Sequence, residues 1–181
     1  MAAPLTLASR SPQRRAILTQ LGVEFVVVEP DVEEVGEGDP RWLVVENALR
    51  KARSVVGERV LGVDTDVVLD GWVFGKPASV DAARDDLLAL SARVHEVFSG
   101  IALKEGGSER TAVSVTRVRF RRLDASLLDW YLRSGEWEGR AGGYAIQGRG
   151  AALVESIEGD FWNVVGLPVP ELLKLAPDLA Q

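Results

Sequence analysis

A cluster of arginines lies at the predicted start of the first helix, in LASRSPQRRAIL (7–18). Ser11 is a favourable N-cap and Pro12 suits the first helical position, so a helix is predicted to begin here. Arg14 then falls in the first turn, where the helix dipole disfavours positive charge. Either these arginines form a solvated basic face, or they join the neighbouring serines and the free N–H groups of the helix in binding an anion such as phosphate.

A second group of candidate residues lies in GVDTDVVLDGWVFGKP (62–77). The apolar run before Asp64 predicts a buried strand, and catalytic carboxylates often lie just beyond the carboxyl end of a strand. Asp64 and Asp66 are therefore candidates for chemistry, whereas Asp70 is explained by the Asp–Gly turn of a hairpin. Lys76 follows this hairpin, where a lysine is usually only solvated.

Three further positions carry polar groups of interest. Lys51 lies on a helix predicted to begin at Asp39–Pro40, and Glu33–Glu34 lies in an acidic loop. A glutamate oxygen there could help to hold a divalent cation. Gln147 lies in the glycine-rich YAIQGRG, where its amide could reach a base edge. The simpler interpretations are an exposed helix lysine, solvated carboxylates and an amide that satisfies its own loop.

Composition excludes several classes of protein. The chain has 181 residues, a net charge of −6 and no cysteine, which removes disulfides and thiolate chemistry. Its acidity argues against binding of nucleic-acid polymers. Neither a membrane-spanning apolar run nor a basic leader is present, so we expect no membrane association and a cytoplasmic location. No GxxxxGK[ST] motif occurs, and His95, the single histidine, is expected to pack rather than to catalyse.

Helical and strand patterns alternate irregularly, which favours a mixed sheet over a doubly wound parallel one. EFVVVEP (24–30) is predicted to be a buried strand, and VLGV (60–63) a short strand. Ser126 is predicted to open a helix. ALVESIEG and FWNVVGLP are predicted to form a last hairpin, followed by a helix from Pro170.

Seven stretches, in this order, resemble the Maf family of nucleoside triphosphate pyrophosphatases, or septum-formation-inhibitor-like proteins. They are LASRSPQRRAILTQLG, the VEE of the acidic loop, NALRKA, GVDTDVVLDGWVFGKP, LSARVHEVFSGIAL, GGYAIQGRGA and NVVGLP. The resemblance covers nearly the whole chain. It implies a single α/β domain over residues 1–181, with two lobes and an elongated mixed sheet, flanked by helices and bent around a central active-site cleft.

The resemblance also implies a reaction and the residues that carry it. Such proteins hydrolyse a nucleoside triphosphate between the α- and β-phosphates, and they need a divalent cation such as Mg²⁺ or Mn²⁺. The family's catalytic aspartate falls on Asp64, its acidic-loop glutamate on Glu34, and its phosphate-binding positions on Ser9, Arg14, Lys51 and Lys76. We expect Asp64 to accept a proton from water, and Glu34 and Asp64 to be the metal ligands. A homodimer is a family-level expectation.

Substrate choice in the family depends on a few positions. Thr65 and Gln147 match the branch that resembles dTTP and UTP pyrophosphatases. Gln13 stands where the family motif has arginine, at a substrate-binding position tied to specificity; a one-residue adjustment would instead let the two following arginines serve as the pair. Asp66 replaces an apolar residue, and it either adds a metal ligand or faces solvent.

Two other functions fit the same sequence. One is a pyrophosphatase for modified nucleotides such as 7-methyl-GTP, which Thr65 and Gln147 oppose but Gln13 leaves open. The other is a nucleotide-binding regulator of septum formation or cell division with negligible catalysis. The presence of Asp64 and Lys76 argues against that second function.

Overall fold

The computed structural model describes residues 4–180, which divide into two compact units. The first unit contains the residues up to Thr65, Ser99–Ser114 and the residues from Gly166 onward, and the second contains Asp66–Phe98 and Val115–Val165. The strands are β1 (Leu5–Ala8), β2 (Phe25–Val28), β3 (Arg59–Leu69), β4 (Trp72–Phe74), β5 (Val94–Glu105), β6 (Ser108–Phe120) and β7 (Val154–Glu158). The α-helices are α1 (Pro12–Gln20), α2 (Pro40–Ser54), α3 (Val80–Leu90), α4 (Ala125–Leu132), α5 (Phe161–Val165) and α6 (Val169–Leu175).

The described strands form one seven-stranded mixed sheet. Its order is β2-β1-β3-β5-β6-β7, with β4 paired to β3. β1 is parallel to both β2 and β3, whereas the β3–β4 and β6–β7 pairs are antiparallel. Helices α1 and α2 lie in the connections between the parallel strands, which a hairpin could not join. The predicted mixed α/β class is confirmed.

In the first unit, α2 packs against β3 and β5 at two glycines. A Cβ atom on Gly62 would lie 2.0 Å from the carbonyl oxygen of Ala48, and one on Gly100 would lie 2.2 Å from that of Val44. Only residues without a side chain allow this approach. The close packing fixes the height and rotation of α2 over β3, and hence the placement of the polar side chains on that helix.

Both predicted helix starts in the first unit are confirmed. The Ser11 hydroxyl accepts a hydrogen bond from the backbone N–H of Arg14 at 3.4 Å. The Asp39 carboxylate accepts from the backbone N–H groups of Arg41 and Trp42 at 3.0 and 3.2 Å. Each cap satisfies backbone donors that the first helical turn leaves without partners.

The second unit has its own apolar core and a tight hairpin. Asp70 and Gly71 join β3 to β4 with positive φ angles of 52° and 82°, as a two-residue turn requires. The core lies around Phe120 and Tyr131. His95 packs edge-on against Phe120, and its Nε2 is 2.8 Å from the Tyr144 hydroxyl, so the expectation that it packs is confirmed.

Two predictions about single elements are wrong. The β2 segment is an edge strand rather than a buried one, with Val26 and Val28 56% and 40% exposed. The α4 helix is capped by Asp124, whose carboxylate accepts from the N–H of Leu127 at 2.8 Å, and not by Ser126. The apolar pattern of β2 does not show that the strand lies at a sheet edge, and α4 begins two residues before the start that a Ser126 cap predicts.

The predicted last hairpin is also wrong. Its first half is β7, which pairs with β6, but its second half forms the short helix α5. Asp160 caps this helix by accepting from the N–H of Trp162 at 2.9 Å. The Thr116 hydroxyl fixes Asp160 by donating to its carbonyl oxygen at 2.9 Å. The residue that caps α5 is thus held by a contact 44 residues away in sequence, which the local pattern does not show.

Candidate active site

Asp64 lies inside β3 rather than after the end of a strand, so the prediction of a strand ending at residue 63 is wrong. Its parallel partner β1 nevertheless ends at Ala8, which pairs with Gly62, and β2 ends at Val28 opposite Ala8. Asp64 therefore lies just beyond the carboxyl end of the parallel strands, where ligand sites of α/β proteins form. β3 continues because β4 pairs with its second half.

The Asp64 carboxylate is buried and has a partner on each oxygen. Its Oδ1 accepts from the Lys51 ammonium at 2.6 Å, and its Oδ2 accepts from the amide of Asn47 at 3.2 Å. Both partners project from α2, four residues apart and therefore on one face of the helix. The close packing of α2 on β3 thus delivers a cation and a neutral donor to one buried carboxylate.

Lys51 joins Asp64 to the acidic loop. Its Nζ lies 2.7 Å from Oε1 of Glu34 and also donates to the carbonyl oxygen of Val63 at 3.4 Å. The Lys51 side chain is only 9% exposed, so solvent screens these pairs weakly. Two carboxylates from distant parts of the sequence therefore share one buried ammonium.

Arg14 is the centre of a second polar group in the same unit. Its Nε donates to the carbonyl oxygen of Gly166 at 2.8 Å, its Nη1 to the Ser9 hydroxyl at 3.2 Å and its Nη2 to the Thr65 hydroxyl at 3.1 Å. The Thr65 hydroxyl is in turn 2.8 Å from that of Ser99. Arg14 therefore binds Thr65, whereas Lys51 binds Asp64, the residue directly before Thr65 in β3. The two polar groups are adjacent along this strand.

The sequence of the whole chain identifies its relatives. Residues 4–179 match the model of the family described as Maf-like protein. The chain belongs to this family. The resemblance found in the sequence is thereby confirmed.

Several curated relatives of similar length carry the name dTTP/UTP pyrophosphatase. The protein of this name from Symbiobacterium thermophilum is 48% identical over 177 residues, which cover 94% of this chain and 91% of that protein. The one from Anaeromyxobacter dehalogenans is 46% identical, covering 97% and 93%. The one from Thermococcus onnurineus is 45% identical, covering 94% and 95%.

The structure brings five of the residues implied by the Maf resemblance into the two polar groups described above, together with Thr65, which the resemblance links to substrate choice. The five are Ser9, Glu34, Arg14, Lys51 and Asp64. Gln13 lies beside them on α1, where its Oε1 accepts from the Ser11 hydroxyl at 3.0 Å. The Arg15 guanidinium lies 3.9 Å from the Glu29 carboxylate, and whether Arg14 and Arg15 act as the family's arginine pair stays a prediction.

The remaining predicted residues belong to the second unit. Lys76 is exposed after β4, and Asp66 is half-buried on β3. Gln147 is exposed between the short 3₁₀ turns Ala141–Gly143 and Gly148–Ala152. The Glu136 carboxylate holds this loop by accepting from the backbone N–H of Arg149 at 2.8 Å. The roles of these three side chains remain predictions.

Sequence reasoning missed two residues of the site, Asn47 and Ser99. Asn47 lies in the NALRKA stretch, and its spacing of four from Lys51 indicates a shared helix face, so this pattern could have identified it. Ser99 also lies in one of the seven family stretches, LSARVHEVFSGIAL, but no spacing within that stretch singles it out. It is a fully buried serine on β5, brought to Thr65 only by strand pairing.

The donor set is compatible with a divalent cation that is shared with a substrate. Glu34 and Asp64 both reach one cationic atom, Lys51 Nζ, and their carboxylate oxygens are hard ligands. Within residues 4–180, no group of three or more metal-binding side chains is assembled. Mg²⁺ typically takes one or two carboxylates and completes its shell with phosphate oxygens and water, so two carboxylates suffice.

A membrane span requires a helix that is both long and apolar. Among residues 4–180, no helix is both long enough and apolar enough to cross a bilayer.

Proposed function

We propose that this protein hydrolyses nucleoside triphosphates between the α- and β-phosphates, with dTTP and UTP favoured, releasing a nucleoside monophosphate and pyrophosphate. The observation that carries the proposal is the arrangement around Asp64, a buried carboxylate held between Lys51 and Asn47. The chain belongs to the Maf-like family, and its relatives named above are dTTP/UTP pyrophosphatases, which supports the same reaction.

The positively charged side chains of the site suit a polyphosphate. A triphosphate brings about four negative charges, which the overall acidity of the chain would repel unless cations were concentrated locally. Lys51 and Arg14 supply two such cations from different helices. Because Arg14 is held by the protein at all three of its nitrogens, its guanidinium is positioned before substrate arrives.

Asp64 is the proposed general base. It accepts a proton from the water that attacks the α-phosphorus, a new P–O bond forms, and the bond from that phosphorus to the bridging oxygen breaks. Pyrophosphate leaves with the electron pair. Proton acceptance of this kind contributes about 10²–10⁴-fold to a rate.

A divalent cation is part of the proposal. Glu34 and Asp64 would hold Mg²⁺ or Mn²⁺ together with phosphate oxygens, and the cation would supply charge neutralisation for the leaving pyrophosphate.

Preference for dTTP and UTP is proposed from Thr65 and Gln147, which match that branch of the family, and from the names of the relatives. Gln13 differs from the family motif, which has arginine at this position, and the change from a cation to a neutral amide bears on substrate specificity. Lys76 and Gln147 are proposed as substrate-binding residues on the resemblance alone.

The test is pyrophosphate release by the purified protein with Mg²⁺ or Mn²⁺ from dTTP, UTP, CTP, dATP, GTP and 7-methyl-GTP. We expect release from dTTP and UTP above the others. A preference for 7-methyl-GTP or a purine nucleotide would retain the reaction and overturn the specificity. Binding without release from any nucleotide would favour the regulator of cell division.

Asp64→Asn tests the assignment of the base. We expect turnover to fall by about 10²-fold or more, because the amide keeps the size of the carboxylate but cannot accept the proton. The unfolding midpoint should fall, since the buried Lys51 loses one of its two carboxylate partners, but the chain should still fold because Glu34 remains beside Lys51. Asp70→Asn is the matched control, since asparagine also tolerates the positive φ of that turn. Near-normal turnover in Asp64→Asn would remove Asp64 from this role.

The proposed function also carries expectations about cellular location and oligomeric state. Action on a nucleotide pool would place the protein in the cytoplasm, and the resemblance favours a homodimer. Light scattering coupled to size exclusion measures the oligomeric state directly.

A further inference from the structure

Asn47 uses its whole amide group in contacts that join two separate parts of the site. The side chain is 2% exposed on α2. Its Oδ1 accepts from the backbone N–H of Val35 at 2.7 Å, and its Nδ2 donates to the backbone carbonyl of Val35 at 3.0 Å and to Oδ2 of Asp64 at 3.2 Å. One acceptor and two donors are thus all engaged.

The paired bonds to Val35 dock the acidic loop onto α2. Residues 29–39 of this loop contain no strand or helix, so no backbone ladder fixes them. The two bonds from Asn47 replace such a ladder at one residue. Because Val35 follows Glu34, these bonds help to set the position from which the Glu34 carboxylate reaches Lys51. On the other side of Glu34, Arg50 donates to the Glu33 carbonyl at 3.3 Å.

The third bond serves Asp64 itself. Docking of the loop needs only the contacts with Val35, yet the second N–H of the amide points at Oδ2 of Asp64. Lys51 holds the other oxygen, so the two partners on α2 fix the orientation of the carboxylate plane. Asn47 therefore acts together with the Lys51 ammonium, which both carboxylates share, in setting the separation of Glu34 and Asp64.

We propose that Asn47 is a positioning residue, which fixes Glu34 and Asp64 relative to each other so that they can hold a cation and a triphosphate together. The inference rests on the proposed function. Residues that orient ligating carboxylates typically change metal affinity or activity by about 10–100-fold when they are removed.

Two substitutions and one control test this role. Asn47→Ala removes all three bonds. Asn47→Asp retains the acceptor for Val35 but places an anionic oxygen against Asp64. Asn163→Ala is the matched control, because Asn163 is also fully buried and donates to a carbonyl and a hydroxyl, but in the second unit.

At saturating Mn²⁺, we expect Asn47→Ala to lower kcat for dTTP by about 10–100-fold while KM changes less than threefold, because the phosphate-binding cations remain. Asn47→Asp should be no more active than Asn47→Ala. Asn163→Ala should lower the unfolding midpoint and leave kcat within threefold. Retention of kcat in Asn47→Ala, or an equal loss of kcat in Asn163→Ala, would overturn the proposal.

A binding measurement separates this inference from the proposed function. Electron paramagnetic resonance of Mn²⁺, recorded with the α,β-methylene analogue of dTTP, needs no turnover. We expect Asn47→Ala to weaken Mn²⁺ binding about tenfold relative to the unsubstituted protein and to Asn163→Ala. Equal Mn²⁺ affinity in all three proteins, or none in the unsubstituted protein, would overturn the positioning role. A protein that binds Mn²⁺ as expected but releases no pyrophosphate would overturn only the proposed reaction.

Discussion

At the scale of single residues, buried ionisable groups are either paired with opposite charge or kept neutral. Asp64 and Lys51 are buried beside each other, and each keeps further polar partners, which offsets part of the cost of removing their charges from water. His95 is buried in the apolar core of the second unit, with the Tyr144 hydroxyl on Nε2. Desolvation there lowers the pKa of His95 from 6.5 to about 4, so its ring stays neutral.

His95 makes stability depend on pH. The unfolded chain binds a proton at His95 below about pH 6.5, whereas the folded chain does so only near pH 4. The stability from the neutral ring is therefore complete above pH 6.5 and is lost as the pH falls toward 4, by about 2 kcal/mol between pH 7.5 and pH 5. His95→Gln should flatten the dependence of the free energy of unfolding on pH over this interval, measured by urea titration. Parallel curves for the two proteins would contradict this.

At the scale of elements, β3 and α2 form the frame of the site. The first half of β3 pairs with β1 in parallel and its second half with β4 in antiparallel orientation, so Asp64 lies where the pairing changes. Helix α2 contacts β3 at Gly62, two residues before Asp64. Strand pairing therefore sets the position of the carboxylate, and close helix packing brings Asn47 and Lys51 to it.

Gly62→Ala tests this frame. The new methyl group would meet the Ala48 carbonyl oxygen at 2.0 Å, so α2 must move away from β3. Overpacking against rigid backbone should lower the free energy of unfolding by about 2 kcal/mol or more, and displacement of Lys51 should lower kcat as well. Gly75→Ala is the control, because no heavy atom lies within 4 Å of its added methyl group. Equal stabilities of the two variants in urea would contradict close packing at Gly62.

At the scale of the molecule, the first unit is assembled from three separate lengths of chain. Its last length, from Gly166 onward, supplies the carbonyl that holds Arg14. It is tied down by Asp178, whose carboxylate accepts two hydrogen bonds from the Arg59 guanidinium at 2.6 and 2.7 Å. The Arg59 side chain is 3% exposed, and Glu105 also lies 3.0 Å from it.

Asp178→Ala should lower the free energy of unfolding by about 1 kcal/mol. The pair is bidentate, but Asp178 is 44% exposed and Glu105 remains beside Arg59, so the loss is smaller than for a fully buried pair. Glu171→Gln, which breaks the exposed Glu171–Lys174 pair, should change stability by less than about 0.5 kcal/mol. If urea titration gives the same decrease in the free energy of unfolding for both variants, the Arg59–Asp178 pair stabilises the protein no more than an exposed ion pair does.

The sequence by itself determined the mixed α/β class and the helix caps at Ser11 and Asp39, because capping and strand alternation are properties of neighbouring residues. It also determined the family, through seven stretches in the family's order, and that resemblance pointed to most of the candidate site residues. Tertiary structure decided what depends on distant partners. Pairing with β4 extended β3 past Asp64, and Thr116 fixed the start of α5. It also brought Asn47 to both Val35 and Asp64 and Ser99 to Thr65, because hydrogen bonds between elements depend on packing that no local pattern encodes.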